Sequence, residues 1–381
     1  MRLGLDFGTT NSAIALFDGE QLIPIEVDLS NNNSAIIMSL IYIDKEHQVS
    51  LGLEAATAYL EHETGREVLW RQREVGQLGI TVAGLNNDPI HFYDPINVLV
   101  DIAANGKLLQ SIKTVLFNSN YEGTQIFDRY YSVEKLISFI LKRLKVAAET
   151  QLKQEINSIV LGRPVQFSHH PSVNSRAEAI LFKAAHLAGF TDVIFQLEPI
   201  GIVHLVHRSS SQRHTTLVFD FGGGTLDLTI AKIGGGTPPD ILATHGILIG
   251  GDDFNRRIVQ FLLPFFGDDD EENPLPPDVA DKLLFWQTIP ELSRPKTIER
   301  LQDLRKSRQD VKSLDNLETL INHNLGFKLF QEIETVKKQL SDDSQATFHF
   351  QHENIDIHKK LTRRRFERLI ASDIEEIRAG I

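Results

Sequence analysis

Two stretches of this chain repeat one arrangement of chemistry. Leu3-Gly4-Leu5 leads to Asp6-Phe7-Gly8-Thr9-Thr10-Asn11-Ser12, and Leu217-Val218-Phe219 leads to Asp220-Phe221-Gly222-Gly223-Gly224-Thr225. In each, an apolar strand-like run ends in an acid, a turn of small and hydroxyl residues follows, and a second apolar strand pattern returns. After the second turn Leu226, Leu228 and Ile230 alternate with Asp227, Thr229 and Ala231, which predicts a strand with one apolar face. A turn without side chains at Gly222, Gly223 and Gly224 lets backbone N–H groups approach an anion closely, and Thr225 adds a hydroxyl. Alone, this stretch also has a plainer reading, an ordinary glycine-rich hairpin. The second copy changes the reading, because Asp6 and Asp220 stand 214 positions apart and head the two halves of the chain. The pair predicts two hairpins clamping a polyphosphate from both sides, with the aspartates holding a hydrated divalent ion. Magnesium suits that role: it keeps most of its waters and needs one or two carboxylates plus phosphate oxygens.

These motifs resemble those of the actin-fold ATPases, and within them the nucleotide-binding part of the DnaK-type heat shock protein 70 chaperones. Asp6–Ser12 is similar to that family's first phosphate motif and Asp220–Asp227 to its second. The resemblance runs through most of the chain. It is closest to short YegD-type relatives without a peptide-binding domain, on Leu161-Gly162-Arg163-Pro164-Val165, Ala184–Phe190, Phe195–Pro199 and Phe285-Trp286. It implies an α/β, actin-like ATPase (ribonuclease H-like) fold of two lobes, each a mixed sheet with flanking helices. Lobe I is expected over 1–197 with a small inserted subdomain at about 44–110. Lobe II is expected over 198–381 with a helical subdomain at about 246–345.

The resemblance also implies roles. ATP or ADP with Mg²⁺ would be the cofactors, with Asp6 and Asp220 on the metal side. Gly8, Thr9, Thr10 and Asn11 would face the phosphates, as would Gly222, Gly223, Gly224 and Thr225. Ser111–Leu116 matches the family's lysine segment, so Lys113 would position the γ-phosphate and the attacking water; unselected, it would read as a solvated surface lysine. Pro164 corresponds to a switch proline, Arg176 to an arginine on the following helix, and Glu198 to a glutamate that orients water or holds a metal-bound water. Glu334, Lys337, Lys338 and Ser341 match the adenosine contacts.

The elements that must position these residues are partly legible. Strands are expected at Gln21–Val27 and Ala35–Ile43, and a helix at Leu53–Glu63. From Thr64 to Gly106 the pattern is poorly periodic. Val133, Leu136, Ile137, Ile140, Leu141 and Leu144 recur at helical spacing, predicting an amphipathic helix over Ser132–Gln154 capped by Ser132. A strand at Ile156–Leu161, a helix at Val173–Gly189 and a strand at Val193–Phe195 then make a βαβ unit. Ligands sit beyond the carboxyl ends of such strands, where Pro164 and Glu198 fall. Gly250-Gly251-Asp252-Asp253 opens a predicted helix over Phe254–Phe265 and would bring a helix N-terminus near phosphate. Further helices are expected at Lys296–Lys306, Leu314–Asn322 and Phe327–Leu340. In the last, Glu334, Lys337, Lys338 and Ser341 share one face, which reads equally as an exposed ion-pair face. Leu361–Ile370 is expected to be helical, its arginines a solvated face. The family's next strand, Gly-Gly turn and adenine-closing arginine do not follow, so lobe two is expected to be truncated at its C-terminal end.

Composition narrows the function further. A net charge of −12, from 51 acids against 39 bases, argues against a nucleic-acid surface. The absence of cysteine excludes disulfides, thiolate metal sites and cysteine nucleophiles. Apolar runs such as Ala35–Ile43 are too short to span a bilayer, and Met1-Arg2 leads directly into a strand, which predicts a cytoplasmic protein. His204/His207 and His349/His352 form H-x-x-H pairs without a third ligand at a defined spacing, so no histidine metal site is predicted. The expectation is a monomeric, slowly hydrolysing, chaperone-like ATP-binding protein whose nucleotide state drives lobe movement. Its partners would be nucleotide and protein clients or a completing partner chain. A non-hydrolysing interaction module, a sugar kinase and a filament-forming relative are the alternatives.

Overall fold

The computed structural model describes residues 1–83 and 89–381, with side chains described outside 75–97. The chain opens with strands β1 (Arg2–Phe7), β2 (Asn11–Phe17), β3 (Leu22–Pro24) and β4 (Ile37–Met38). Strands β5 (Leu40–Asp44) and β6 (Val49–Leu51) and helix α1 (Gly52–His62) follow. The long strands β7 (Trp70–Ala83) and β8 (Pro89–Asp101) come next, then β9 (Gly106–Gln110), a 3-10 turn at Ile112–Phe117, and the hairpin β10 (Gly123–Ile126) and β11 (Arg129–Ser132). Helix α2 (Val133–Leu152), β12 (Ser158–Arg163), α3 (Pro171–Leu187), β13 (Asp192–Leu197) and α4 (Glu198–Ser209) carry the predicted βαβ unit. Strands β14 (His214–Phe221), β15 (Leu226–Ile233) and β16 (Asp240–Ile247) lead to α5 (Gly251–Leu262). Helices α6 (Pro277–Leu283), α7 (Pro295–Ser307), α8 (Lys312–Asn322) and α9 (Gly326–Asp342) follow. The chain then runs through β17 (Gln345–His352), β18 (Ile355–Thr362), α10 (Arg363–Leu369) and α11 (Ala371–Gly380).

Two compact units result. The first comprises Met1–His62, Gly106–Ile258 and Arg363–Ile381; the second comprises Glu63–Asn105 and Val259–Thr362. The principal sheet of the first unit has the order β13-β12-β1-β2-β3, with β4 also on β2. It is mixed: β1, β12 and β13 run parallel, whereas β1, β2 and β3 are antiparallel. Period-2 alternation buries Leu3, Leu5 and Phe7 of β1 and leaves Asp6 on the other face. Against the apolar face lies α2, whose Leu136, Ile137, Ile140, Leu141 and Leu144 are fully buried with Leu181 and Ala184 of α3. Ser132 caps α2 by accepting the N–H of Lys135 at 3.4 Å. Gly189 ends the α3 segment at φ +99°, a conformation that favours glycine.

A second sheet of the first unit, β14-β15-β16, is antiparallel. One of its faces carries Val218, Ala231 and Ile233, packed on Val203 of α4. The other carries Leu226 and Leu228, packed with Ile247, Ile249, Phe254 and Ile377 of α11. Helix α11 is also fastened to α5 by a bidentate pair between Arg257 and Asp373. This arrangement revises the predicted alternation of β15. Asp227 and Thr229 are buried as well, and Ile230 is 40% exposed, because different helices cover different ends of the two faces.

The second unit differs more from expectation. The poorly periodic stretch from Thr64 to Gly106 is mostly a pair of long antiparallel strands, β7 and β8; residues 84–88 of it lie outside the described residues. Helices α7, α8 and α9 stand close to their predicted bounds. The hairpin β17–β18 has no sequence counterpart in the expectations, although burial of Ala346, Phe348 and Phe350 against exposed neighbours is the strand period. Leu361 belongs to β18 and is buried, so the predicted final helix starts two residues later, at Arg363. Among the described residues, no helix is long and apolar enough to cross a membrane.

Candidate functional site

The register of β1 and β2 pairs Asp6 with Ala13 and Phe7 with Ser12, so the first turn spans Gly8 to Asn11. A Cβ at Gly8 would stand 2.2 Å from the Asn11 carbonyl oxygen, so this turn closes only on glycine. Ser39 holds its outer side: its hydroxyl donates to the Gly8 carbonyl at 2.8 Å, and its N–H donates to the Thr10 carbonyl at 2.8 Å. Nothing in the local sequence marked Ser39 for this task, since it sits 31 residues from Gly8.

The second hairpin repeats the geometry. Asp220 pairs with Asp227 and Phe221 with Leu226, and the Gly222 N–H closes the turn on the Thr225 carbonyl at 2.8 Å. The start of α5 braces it from behind. Gly251 N–H donates to the Gly222 carbonyl and Asp252 N–H to the Gly223 carbonyl, each at 2.9 Å. In a trans peptide the C=O and N–H point opposite ways, so the N–H groups of Gly223 and Gly224 face away from that helix. Gly250 allows the close approach: a Cβ there would lie 2.3 Å from the Gly223 carbonyl oxygen. The helix N-terminus predicted to face phosphate thus directs these two N–H groups into the glycine turn.

The two tips meet. A Cβ at Gly223 would stand 2.5 Å from the Thr10 hydroxyl oxygen, and one at Gly224 would stand 3.5 Å from the Thr9 hydroxyl oxygen. Thr114, next to Lys113, approaches the same point, with its methyl 3.5 Å from the Gly224 position. Lys113 lies on the 3-10 turn, buried, and its ammonium donates to Glu198 Oε1 at 2.7 Å. Glu198 is the first residue of α4, directly after β13, and Gly162 of β12 gives it room: a Cβ there would lie 3.1 Å from Glu198 Cγ. Asp6, Lys113, Glu198, Asp220 and Thr225, far apart in sequence, therefore share one neighbourhood of the first unit.

The charges there are unbalanced. The carboxyls of Asp6 and Asp227 are each pushed up to about 6, first by loss of solvation. At Asp6, Glu198 and Asp220 add repulsion and Lys113 opposes it. Asp220 is raised by desolvation and by Glu198. Burial draws Lys113 down, but Glu198, Asp6 and Asp227 more than offset it, so its ammonium is held above the ordinary lysine value. Asp6 keeps contact with solvent, whereas Asp227 is 2% exposed, so the energetic weight of the repulsion rests on Asp227. Four carboxylates beside one ammonium leave net negative charge, and that donor set fits a hydrated dication.

Asp227 is the residue that sequence reasoning passed over. It was visible as the strand partner of an acid, but its solvent exclusion was not. Its Oδ1 accepts the Val165 N–H at 2.7 Å, which ties the second hairpin to the segment after Pro164. Pro164 is buried there. Arg176 on α3 donates to the carbonyls of Asn118 (3.1 Å) and Tyr121 (2.6 Å), bracing the segment that follows Lys113. On α9, in the second unit, Glu334 pairs with Lys337 at 2.7 Å and with Lys338 at 3.6 Å, and Ser341 lies one turn further along the same helix.

Comparison with known proteins agrees with this geometry. Residues 104–277 match the family model described as Hsp70 protein. A chaperone protein dnaK of Gracilaria tenuistipitata var. liui is 27% identical over 276 residues, which cover 71% of this chain and 39% of that protein. A chaperone protein DnaK of Thermosipho melanesiensis is 27% identical over 266 residues, covering 69% of this chain and 36% of its own. The matches thus span under two fifths of the length of these relatives. The repeated acid-tipped hairpins and the mixed α/β build go with these matches: the chain is similar to the Hsp70 family, and its build is that of an actin-like ATPase fold.

Proposed function

We propose that this protein binds ATP with Mg²⁺ at the two facing hairpins and hydrolyses it slowly, nucleotide state driving movement of its lobes in a chaperone-like cycle. The observation that carries the reading is the meeting of Gly223 with Thr10 and of Gly224 with Thr9, beneath which the acids gather. Backbone N–H groups of Gly8–Asn11 and of Gly222–Thr225, with the hydroxyls of Thr9, Thr10 and Thr225, bind the phosphates. Asp6 and Asp220 hold the hydrated metal ion, whose charge offsets that of the carboxylates and the phosphates. Lys113, already charged and fixed by Glu198, stabilises negative charge growing on the terminal phosphate. Glu198 and Asp220 orient the attacking water. Catalysis of this kind is positioning plus charge stabilisation.

Glu334, Lys337, Lys338 and Ser341 are assigned to the adenosine on the resemblance alone. Protein clients belong to the same reading, because the relatives are named chaperone proteins; a monomeric state and a cytoplasmic location complete the proposal. A non-hydrolysing interaction module is the second reading. It is favoured by Leu217, Phe219 and Ile230, which are 50%, 51% and 40% exposed on one face of β14 and β15.

Calorimetric titration with ATP and Mg²⁺, joined to phosphate-release assays of the wild type and Lys113→Ala, tests both. The expected result is one binding event in each protein and turnover only in the wild type. Absence of binding heat favours the module, and turnover retained in Lys113→Ala removes that residue from the mechanism.

A further inference from the structure

Independently of the hairpin site, the fold gathers histidines that are scattered in sequence. His349 and His352, which look like a ligand pair, are three apart on β17 and so point to opposite faces. Each instead joins a different group: His352 meets His323 and Glu353, and His349 meets Asp356 and His358. We infer that His323, His352 and Glu353 form a binding site for a zinc-class divalent ion in the second unit.

His323 directly follows α8. Its Nδ1 lies 3.4 Å from the Gly65 carbonyl oxygen, and a carbonyl only accepts, so Nδ1 carries the hydrogen. In the neutral ring the lone pair is then on Nε2, and Nε2 stands 3.3 Å from Glu353 Oε2. Two acceptors facing each other need either a proton or a metal ion between them. Two ligands of a tetrahedral ion with arms of about 2.0–2.1 Å stand about 3.3–3.4 Å apart, which matches this separation. The Gly65 carbonyl is the kind of outer partner that fixes the tautomer of a metal-ligating histidine.

His352 adds an independent observation: its Nε2 is buried and makes no hydrogen bond. The ligand atoms of all three residues lie within 4.8 Å of one another. Glu353 is the first turn residue between β17 and β18 and adopts φ +47°, in the left-handed region that favours glycine. Two nitrogens and one carboxylate oxygen suit zinc, and the exposure of Glu353 leaves the fourth position to water.

The surroundings are built to hold these groups still. Gly65 N–H donates to the His323 carbonyl at 2.7 Å, and Asn324 donates to the Glu63 carbonyl at 2.9 Å. Thr319 of α8 donates to the Asn354 side chain at 2.5 Å, tying the turn to the helix. The ion would staple the end of α8 to the β17–β18 turn. The group around His349 lacks these features. Its members are all exposed, and His349 and His358 stack at 3.9 Å.

The test uses the full chain after removal of metals with chelator, titrated with Zn²⁺ by calorimetry and with Co²⁺ by visible absorption. One equivalent is expected to bind, with the intense visible bands of tetrahedral cobalt and a rise in melting temperature with Zn²⁺. His323→Ala and His352→Ala should each weaken binding at least tenfold, and His349→Ala/His358→Ala should leave it unchanged. Should the histidine variants fail to fold, Glu353→Gln on the exposed turn carries the test and should weaken Co²⁺ binding and alter its bands. No binding up to about 100 µM metal would overturn the site and leave His323 and Glu353 as a proton-mediated ion pair. Binding lost only in His349→Ala/His358→Ala would overturn it as well.

Discussion

Replacing Asp227 by asparagine should stabilise the protein in the absence of ligand. Asn keeps an Oδ1 that accepts the Val165 N–H, so the 2.7 Å bond survives and the change removes charge alone. The Asp227 carboxyl is raised from 3.8 to about 6, first by desolvation, with Glu198 and Asp220 adding repulsion. At about 1.4 kcal/mol per unit, this corresponds to about 3 kcal/mol of destabilisation when the group is ionised in both folded and unfolded chains. The sign follows from proton counts. Between the two values the folded state binds more protons, so this contribution to stability falls as pH rises. The advantage of Asp227→Asn should therefore be about 3 kcal/mol at pH 8, about half of that at pH 5, and near zero below the unfolded value. Both tryptophans, Trp70 and Trp286, belong to the second unit, so the urea transition should be followed by circular dichroism rather than tryptophan emission. An advantage that stayed constant from pH 8 to pH 4, or a destabilisation at pH 8, would refute the claim that Asp227 sits in uncompensated charge.

Three further changes probe other parts of the structure. Gly250→Ala places a Cβ 2.3 Å from a backbone oxygen that cannot rotate away; it should cost about 2 kcal/mol and lower ATP affinity about tenfold, read by thermal melting and calorimetry. Arg308 has a side chain 1% exposed and donates to the carbonyls of Gly267 and Asn273 and to Asp269, holding the acidic loop 268–272. Arg308→Met should cost about 3 kcal/mol, because it leaves those acceptors unpaired, and tryptophan emission from the second unit should report an earlier urea transition. Ser132→Ala removes the hydroxyl that caps α2 and should cost about 1 kcal/mol in the same denaturation assay followed by circular dichroism.

Several features of this protein are decided by the amino-acid sequence alone, because their causes are local. Helix α2 follows from apolar residues at 3–4 spacing behind a serine cap, and the strand-turn-strand form of both hairpins follows from period-2 runs around glycines. The placement of acids at Asp6 and Asp220 was equally legible, since each stands at the end of its strand. The hairpin β17–β18 was legible as well, since Ala346, Phe348 and Phe350 alternate with polar residues at the strand period, and the expectations passed it over. Other features depend on what packs against what. The exposure of Ile230 and the burial of Asp227 were decided by which helix covers which end of a sheet face. Only tertiary structure brought the Lys113 ammonium onto Glu198, 85 residues on, and turned the carbonyls of Gly222 and Gly223 toward α5. Hydrophobic period and turn chemistry act over a few residues and are written in the chain; desolvation and charge repulsion depend on neighbours that folding alone supplies.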